Sequence, residues 1–243
     1  FVITEALREE MIRRGGPADR IAVLPNGVRT SQFEPREPDT ELIAELGLEG
    51  KMIIGYAGSL VDYEGLDLLL QAAAELKAER DDFAVIIVGD GHHEGFLHRM
   101  ARDLDVLDVV TFTGRVPHDE VSGLMASSDV FVLASEVEAG GTVLAEAQAL
   151  GLACVATPTW AGRFMVEPET GVVLPAAAQV SDDALVSALT EALTHVTDSI
   201  RAGGYRPETI RARARQRFGE ATFVRACREL YEQARGEITG SAR

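Results

Sequence analysis

Short runs that are apolar throughout alternate along the chain with longer segments in which apolar residues recur every three or four positions. The runs at 52–58 and 83–88 lack the alternating polar residues of a strand that faces water on one side. Such runs predict strands that are covered on both faces, and their alternation with helical segments is typical of βαβ units. The sequence therefore predicts a Rossmann-like three-layer α/β/α domain with a mostly parallel sheet.

The same periodicity places the individual elements. Strands are predicted at 21–25, 52–58, 83–88, 109–113, 130–134, 153–157 and 171–174, and helices at 4–14, 40–46, 64–80, 93–105, 118–127, 142–150, 181–196 and 218–235. Residues 29–41 and 198–208 mix prolines, glycines and charges, and they are predicted to be surface connections.

Glycines mark one edge of the predicted sheet. Gly55, Gly58, Gly89, Gly91 and Gly114 stand in or just after the ends of predicted strands. In an open α/β sheet the ligand lies in a crevice outside the carboxyl ends of the strands. This edge is therefore the predicted binding edge.

Composition limits the partners of the chain. Its 243 residues carry a formal net charge of -16, and no stretch gathers the basic residues that a nucleic-acid surface needs. The same acidity disfavours contact with anionic lipid, and the longest apolar runs are far shorter than the roughly 18 to 20 residues that span a bilayer. We expect neither nucleic-acid binding nor membrane contact from this domain.

The cysteines and histidines do not form a metal motif. Cys154 and Cys227 lack metal-ligand spacing, which is typical of reduced thiols in a cytoplasmic protein. His92 and His93 lie six and five residues before His98, so these histidines do not share a helix face with it. No bound metal or cofactor is expected.

The segment from Glu138 to Glu146 carries the strongest chemical signal. It follows a predicted strand, crosses two glycines and opens a helix, whose free amide groups can bind phosphate or sugar oxygens. Glu138 can accept hydrogen bonds from the hydroxyls of a sugar at the helix start. Glu146, further along the helix, offers two acceptor oxygens to the paired hydroxyls of a ribose.

This Glu-x7-Glu element, followed by Ala-Gln-Ala-Leu-Gly151, resembles the signature of the GT-B-fold retaining glycosyltransferases of family 4, also called the group 1 family. Further motifs follow in the order of that family. They are Val23-Leu-Pro-Asn-Gly-Val28, Gly55-Tyr-Ala-Gly58, Val88-Gly-Asp-Gly91, Phe112-Thr-Gly-Arg-Val-Pro117 and Glu169-Thr-Gly-Val-Val-Leu-Pro175. The resemblance covers almost the whole chain.

The resemblance implies a donor-binding domain that holds a nucleoside-diphosphate sugar, and a parent enzyme that transfers the sugar to an acceptor hydroxyl. Glu138 would bind the transferred sugar as the catalytic residue, and Glu146 the ribose. The other implied donor-binding residues are Gly58, Ser59, Glu64, Gly89, Asp90, Arg115, Val116, His118, Gly141, Thr142 and Val143. Arg115 could also be a surface arginine, His118 a helix-start residue, and Gly89-Asp90-Gly91 a simple turn.

The resemblance also implies a division of the chain. Residues 1–20 would be the tail of a missing N-terminal acceptor domain with its linker, 21–217 the nucleotide-sugar-binding domain, and 218–243 a C-terminal crossover helix and tail. Phe1 leads directly into a charged helix without a signal peptide, which is typical of a cut inside a longer protein. The chain alone is expected to be inactive.

Two segments of the chain depart from the family pattern. Ser59 and Glu64 stand where the family carries an arginine and a lysine that neutralise the diphosphate, so backbone amides after Gly58 and Gly141 are expected to take over part of that task. Trp160 stands at an expected Gly-Gly turn, as a core residue or as a cover over the donor.

Two alternatives remain open, and a third is disfavoured because its glycine motif is missing. Loss of both cations favours a non-catalytic nucleotide-sugar-binding module. A GT-B nucleotide-sugar epimerase would need catalytic carboxylates and a histidine that have no clear place here. A Rossmann oxidoreductase would need a Gly-x-Gly-x-x-Gly after its first strand.

Overall fold

The protein forms one six-stranded parallel sheet in the part of the chain that is described. The computed structural model describes residues 1–30, 32–33, 40–138 and 140–240, with side chains for all of them but 42, 118, 119, 180 and 236–240. The strands are β1 (Met52–Ala57), β2 (Phe83–Val88), β3 (Val110–Gly114), β4 (Val130–Leu133), β5 (Ala153–Ala156) and β6 (Gly171–Val173).

Ten α-helices and three 3₁₀ turns lie within the same described residues. The helices are α1 (Glu5–Arg13), α2 (Thr40–Glu45), α3 (Leu66–Glu79), α4 (Glu94–Asp103), α5 (His118–Ala126), α6 (Thr142–Leu150), α7 (Trp160–Met165), α8 (Asp182–Arg201), α9 (Pro207–Phe218) and α10 (Glu220–Gly240). The 3₁₀ turns are Ala18–Arg20, Asp62–Glu64 and Ala176–Val180.

The sheet has the strand order β3-β2-β1-β4-β5-β6. The first three strands are added in one direction and the last three in the other, so the order reverses between β1 and β4, where Ile54 pairs with Val130. The loops after β1 and β4 diverge at such a point and leave a crevice between them. The sheet is parallel, as predicted, and the carboxyl ends of its strands share one edge, where this crevice opens.

Both faces of the sheet are buried, as the unbroken apolar strands require. Ile54 and Tyr56 of β1 point into the cluster formed with α3, α4 and α8, whereas Ile53 and Ala57 point into the cluster formed with α5, α6 and α7. The predicted three-layer α/β/α arrangement is confirmed.

The predicted strand at 21–25 is wrong. The segment makes only an isolated parallel bridge between Val2 and Val23, in which the Leu24 amide donates to the Val2 carbonyl at 2.8 Å. Its partner at the bridge, Val2, lies in the short segment before α1, so the run pairs with that segment and not with a strand. The other predicted strands are confirmed to within one residue at each end.

Two helices, α7 and α9, are not predicted from the sequence. The predicted connection at 198–208 is wrong because α8 continues to Arg201 and α9 begins at Pro207, a residue suited to the first turn of a helix. Ile210, Ala214 and Phe218, four residues apart, form the buried stripe of α9 and were the available signal. Of the predicted connection at 29–41, residues 31 and 34–39 lie outside the described residues.

The six-residue helix α7 begins at Trp160, where the family pattern has a Gly-Gly turn and the sequence predicts no helix. The Thr159 hydroxyl oxygen accepts from the Gly162 amide at 3.2 Å and caps the helix. Six residues are too few for the periodicity of a helix to stand out in the sequence.

No helix within the described residues is both long and apolar enough to cross a membrane.

Gly89 should tolerate no side chain. Its φ is 135°, and a Cβ built there would lie 1.8 Å from the carbonyl oxygen of Gly58. We predict that Gly89→Ala lowers the free energy of unfolding in urea by about 3 kcal/mol or more, since strain and overpacking each cost about 1 to 3 kcal/mol. Gly123→Ala in α5, where a Cβ meets nothing within 4 Å, is the control and should raise it slightly. Equal effects of the two substitutions would contradict this account.

Candidate functional site

A cleft of about 410 Å³ opens at the carboxyl edge of the sheet. It gathers residues from the loops after β1, β2 and β3 and from the start of α6. The predicted site residues that line it are Gly58, Gly89, Asp90, Arg115, Val116, Thr142, Val143 and Glu146. Ala57, Val88 and Val121 complete the lining and supply apolar surface.

The floor of the cleft is tied together by its own backbone. The Gly58 amide donates to the Val88 carbonyl at 3.0 Å, and the Gly89 amide donates to the Gly114 carbonyl at 3.1 Å. In the loop after β1, the Leu60 amide donates to the Asp90 carbonyl at 2.9 Å. The Gly58 and Leu60 amides therefore already have acceptors. That amides at the helix start after Gly58 bind a diphosphate stays a prediction.

The start of α6 presents the other polar wall. Gly141, with a φ of 61°, is packed so closely that a Cβ would lie 2.8 Å from the Ala161 Cβ. The Thr142 and Val143 amides lie in the first helical turn, where an α-helix has no acceptor of its own for its amide groups. Both residues line the cleft, so the positive end of the α6 dipole is directed to this site.

Glu138 is a structural residue of this turn as well as a candidate ligand. Its Oε1 accepts hydrogen bonds from the Gly140 and Gly141 amides, both at 2.8 Å. The Gly141 amide, predicted to bind sugar or phosphate, thus bonds to Glu138. Glu138 does not line the cleft with Glu146: it lines a second depression, of about 280 Å³, with Trp160.

Ser59 and Glu64 lie beside the cleft and do not line it. The Ser59 carbonyl accepts from the Tyr56 hydroxyl at 3.0 Å, and Glu64 Oε2 accepts from the Ser135 hydroxyl at 2.7 Å. Glu64 thereby ties the loop after β1 to the loop after β4. Burial, together with the charge of Glu64, raises the pKa of Tyr56 far above its usual value, so Tyr56 stays a neutral donor.

Among the side chains that the structure describes, the ionisable ones that line the cleft are one arginine and two carboxylates, so negative charge is in excess. The Arg115 guanidinium lies 3.9 Å from the Asp90 carboxylate, and its side chain is largely exposed. Glu146 adds a second carboxylate to the lining. Binding of an anion here depends on Arg115 and on the helix start of α6, and both are partly screened by water.

Two of the histidines, His93 and His98, pack on aromatic side chains. α5 begins at His118, whose side chain lies outside the described ones. The His93 ring packs on Phe96 and the His98 ring on Phe112, with centroid distances of 4.6 and 4.2 Å. Within the described residues, no three His, Cys, Asp or Glu side chains group closely enough to hold a metal ion.

A Rossmann-like sheet with a polar cleft where its strand order reverses belongs to the class of open α/β domains that bind ligands at this point. Residues 38–202, more than half of the chain, match the family model of the glycosyl transferases group 1. The chain belongs to the group 1 glycosyl transferases.

Two curated relatives illustrate the similarity. The chain is 35% identical over 164 residues to the GDP-mannose-dependent alpha-(1-6)-phosphatidylinositol monomannoside mannosyltransferase of Mycolicibacterium smegmatis, covering 64% of this chain and 41% of the relative. It is 31% identical over 192 residues to the phosphatidylinositol N-acetylglucosaminyltransferase GPI3 subunit of Saccharomyces cerevisiae, covering 79% and 42%. The chain thus spans about two fifths of the length of these relatives.

Solved structures share the fold. HepE of Anabaena in complex with UDP superposes with a TM-score of 0.80 at 22% identity, over 96% of this chain and 63% of that one. The C-terminal domain of LpcC, a glycosyl transferase group 1 family protein of Francisella tularensis, superposes with a TM-score of 0.67 at 19% identity, over 80% of this chain and 100% of that one.

The two hydrogen bonds of Glu138 should contribute to stability. We predict that Glu138→Ala lowers the free energy of unfolding by about 1 to 2 kcal/mol, because the Gly140 and Gly141 amides lose their acceptor. Glu138→Gln, which keeps an acceptor oxygen, should recover most of this loss in urea titrations. The control is Glu136→Ala, a change at an exposed neighbour. A loss of the same size in Glu136→Ala would show that the turn does not depend on the Glu138 carboxylate.

Proposed function

We propose that this chain is the donor-binding half of a retaining, family 4 glycosyltransferase that transfers a hexosyl group from a nucleoside-diphosphate sugar to an acceptor hydroxyl. The main observation that supports this proposal is the cleft where the strand order reverses. The start of α6 and Glu146 form part of its wall. The GDP-mannose named for the mycobacterial relative and the UDP bound by HepE support a nucleoside-diphosphate donor.

The donor is proposed to lie along the cleft with its nucleoside toward Arg115 and Val116 and the start of α5, where His118 stands. The carboxylate of Glu146 accepts from the ribose hydroxyls, and the Thr142 and Val143 amides bind the diphosphate. Gly89 and Asp90 form the floor. Because its amide is bonded to Glu138, Gly141 is proposed to orient this carboxylate toward the transferred sugar.

The chemistry assigned to this half is positioning and charge stabilisation. A retaining transfer of this kind leaves negative charge on the departing diphosphate, and prealigned amides at a helix start stabilise that charge without reorganising. The donor phosphate itself would accept the proton of the acceptor. No nucleophile, metal or cofactor is proposed for this chain.

The proposal assigns the larger part of the acceptor site to another part of a longer protein. The match along the whole LpcC C-terminal domain supports this division, with 1–20, 21–217 and 218–243 as linker, donor domain and crossover helix. A further groove of about 280 Å³, lined by Phe1, Leu24, Cys227, Leu230, Tyr231 and Ala234, offers apolar surface for that missing half. The chain alone is proposed to bind the donor without transferring sugar, in the cytoplasm.

A second candidate function is a nucleotide-sugar-binding module without catalysis. It is favoured by Glu64, whose carboxylate stands beside the cleft and is held by Ser135, in place of a cation. Turnover by the full-length protein would exclude this candidate, and donor binding without turnover would favour it.

The proposed roles of Glu138 and Glu146 predict that their substitutions weaken the binding of different ligands. By titration calorimetry, Glu146→Ala should weaken binding of the free nucleoside diphosphate about tenfold or more, because a charged hydrogen-bond acceptor is removed. Glu138→Gln should weaken the nucleotide sugar and leave the free nucleotide nearly unchanged. Thr142→Ser, which keeps the backbone amide, is the control. Equal losses for both ligands in both variants would contradict these assignments.

The missing cations predict weak, salt-sensitive donor binding. Ser59→Arg combined with Glu64→Lys should tighten nucleoside-diphosphate binding about tenfold at low ionic strength, and the gain should shrink at high salt. Ser59→Gln with Glu64→Gln is the matched control, since it removes the carboxylate without adding a cation. No gain over this control at low salt would mean that the diphosphate does not lie beside this loop.

A further inference from the structure

A second depression borders the turn that carries Glu138, and it shares no lining residue with the cleft. It has a volume of about 280 Å³. Ala6 and Leu7 of α1, Val137 after β4 and Trp160 of α7 supply its apolar surface. Glu138, the proposed ligand of the transferred sugar, is one of its lining residues, so the depression adjoins the proposed sugar site.

The Trp160 ring is held in place from one side. It stacks on Phe164 with a centroid distance of 4.7 Å and an interplanar angle of 20°. The Arg217 guanidinium lies 5.4 Å from the centre of the Phe164 ring and donates to the carbonyls of Phe164 and Met165. The stack fixes the indole while Trp160 remains half-buried and lines the depression.

The lining suits an uncharged, apolar group. Leu7 is 38% exposed and Val137 is 71% exposed, so apolar surface is open to water next to the indole. The ionisable side chains among the described lining residues are the carboxylates of Glu136 and Glu138. An anionic group such as a phosphate would be repelled here.

Glu138 provides the polar end of the depression. Its Oε1 accepts from the Gly140 and Gly141 amides, and among the described residues Oε2 has no hydrogen-bond partner. A carboxylate oxygen left open in this way can accept a hydrogen bond from a hydroxyl. An occupant with a hydroxyl at one end and an apolar body at the other would satisfy both parts of the surface.

We propose that Trp160 is a specificity-determining residue that binds the apolar part of an uncharged, amphipathic acceptor, such as an alkyl or lipid-linked glycoside. The apolar part lies on the indole, Leu7 and Val137, and the hydroxyl-bearing part lies toward Glu138. This inference rests on the proposed function, since it names the acceptor class for the sugar transfer. The sequence predicts Trp160 to be a core residue or a cover over the donor. In this proposal Trp160 lies beside the acceptor instead.

The chain contains one tryptophan, so its fluorescence reports on this depression directly. The probe is octyl β-D-glucopyranoside below its micellar concentration, with glucose as the polar arm and octyl sulfate as the anionic arm. Octyl glucoside should shift the emission to shorter wavelength with saturation. Glucose should not saturate over the same range, and octyl sulfate should bind at least tenfold more weakly.

Leu7→Gln should raise the Kd of octyl glucoside about fivefold or more, because it removes apolar surface beside the indole. Leu107→Gln is the matched control at a leucine that is 49% exposed elsewhere, and it should bind as the unchanged chain does. By calorimetry, Trp160→Ala should lose binding and Trp160→Phe should retain most of it. Unchanged affinity in Leu7→Gln, or glucose binding as tightly as octyl glucoside, would overturn the proposal.

Calorimetry with UDP and GDP on the same chain separates this inference from the proposed function. Nucleotide binding without octyl glucoside binding would overturn the inference alone and would favour another segment of the protein as the cover of the depression. If neither nucleoside diphosphate bound, the proposed function itself would fail, and with it the acceptor assignment.

Discussion

The site depends on the contact of backbone with backbone at the carboxyl edge of the sheet. Gly89 lies directly against the Gly58 carbonyl, and the amides of both glycines are used to join the loops of neighbouring strands. This contact brings the ends of β1, β2 and β3 together into one floor. The fixed floor lets the start of α6 face a cleft of defined shape, and it leaves α6 and Arg115 to supply the positive potential.

Most of the fold could be predicted because it follows from burial. Strands covered on both faces must be apolar throughout, and β1 and β2 are therefore plain in the sequence. The run at 21–25 is also apolar, but a strand forms only where a second strand lies next to it, and the sequence does not show its neighbours in the fold. The stripe of α9 was overlooked because arginines dominate its sequence, although Ile210, Ala214 and Phe218 have helical spacing.

The candidate site could be predicted in part. Motif order placed Glu146 and Arg115 at one edge, and the structure brings them to the same cleft. The sequence did not predict that Glu138 bonds to the turn it belongs to, or that Glu64 bonds to Ser135, because such contacts depend on loop geometry. Nor did it predict the depression at Trp160, which joins residues about 150 positions apart in the chain.

The central claim is that the cleft binds a nucleoside-diphosphate sugar. The most direct measurement is the melting temperature of the chain with a panel of nucleoside diphosphates and their sugars, since a ligand that binds only the folded state stabilises it. At about 100 times the Kd the stabilisation is about 2.7 kcal/mol, or several degrees for a chain of this size. The account predicts such a shift for at least one base, lost in Glu146→Ala. A melting temperature unchanged by every member of the panel at millimolar concentration would contradict it.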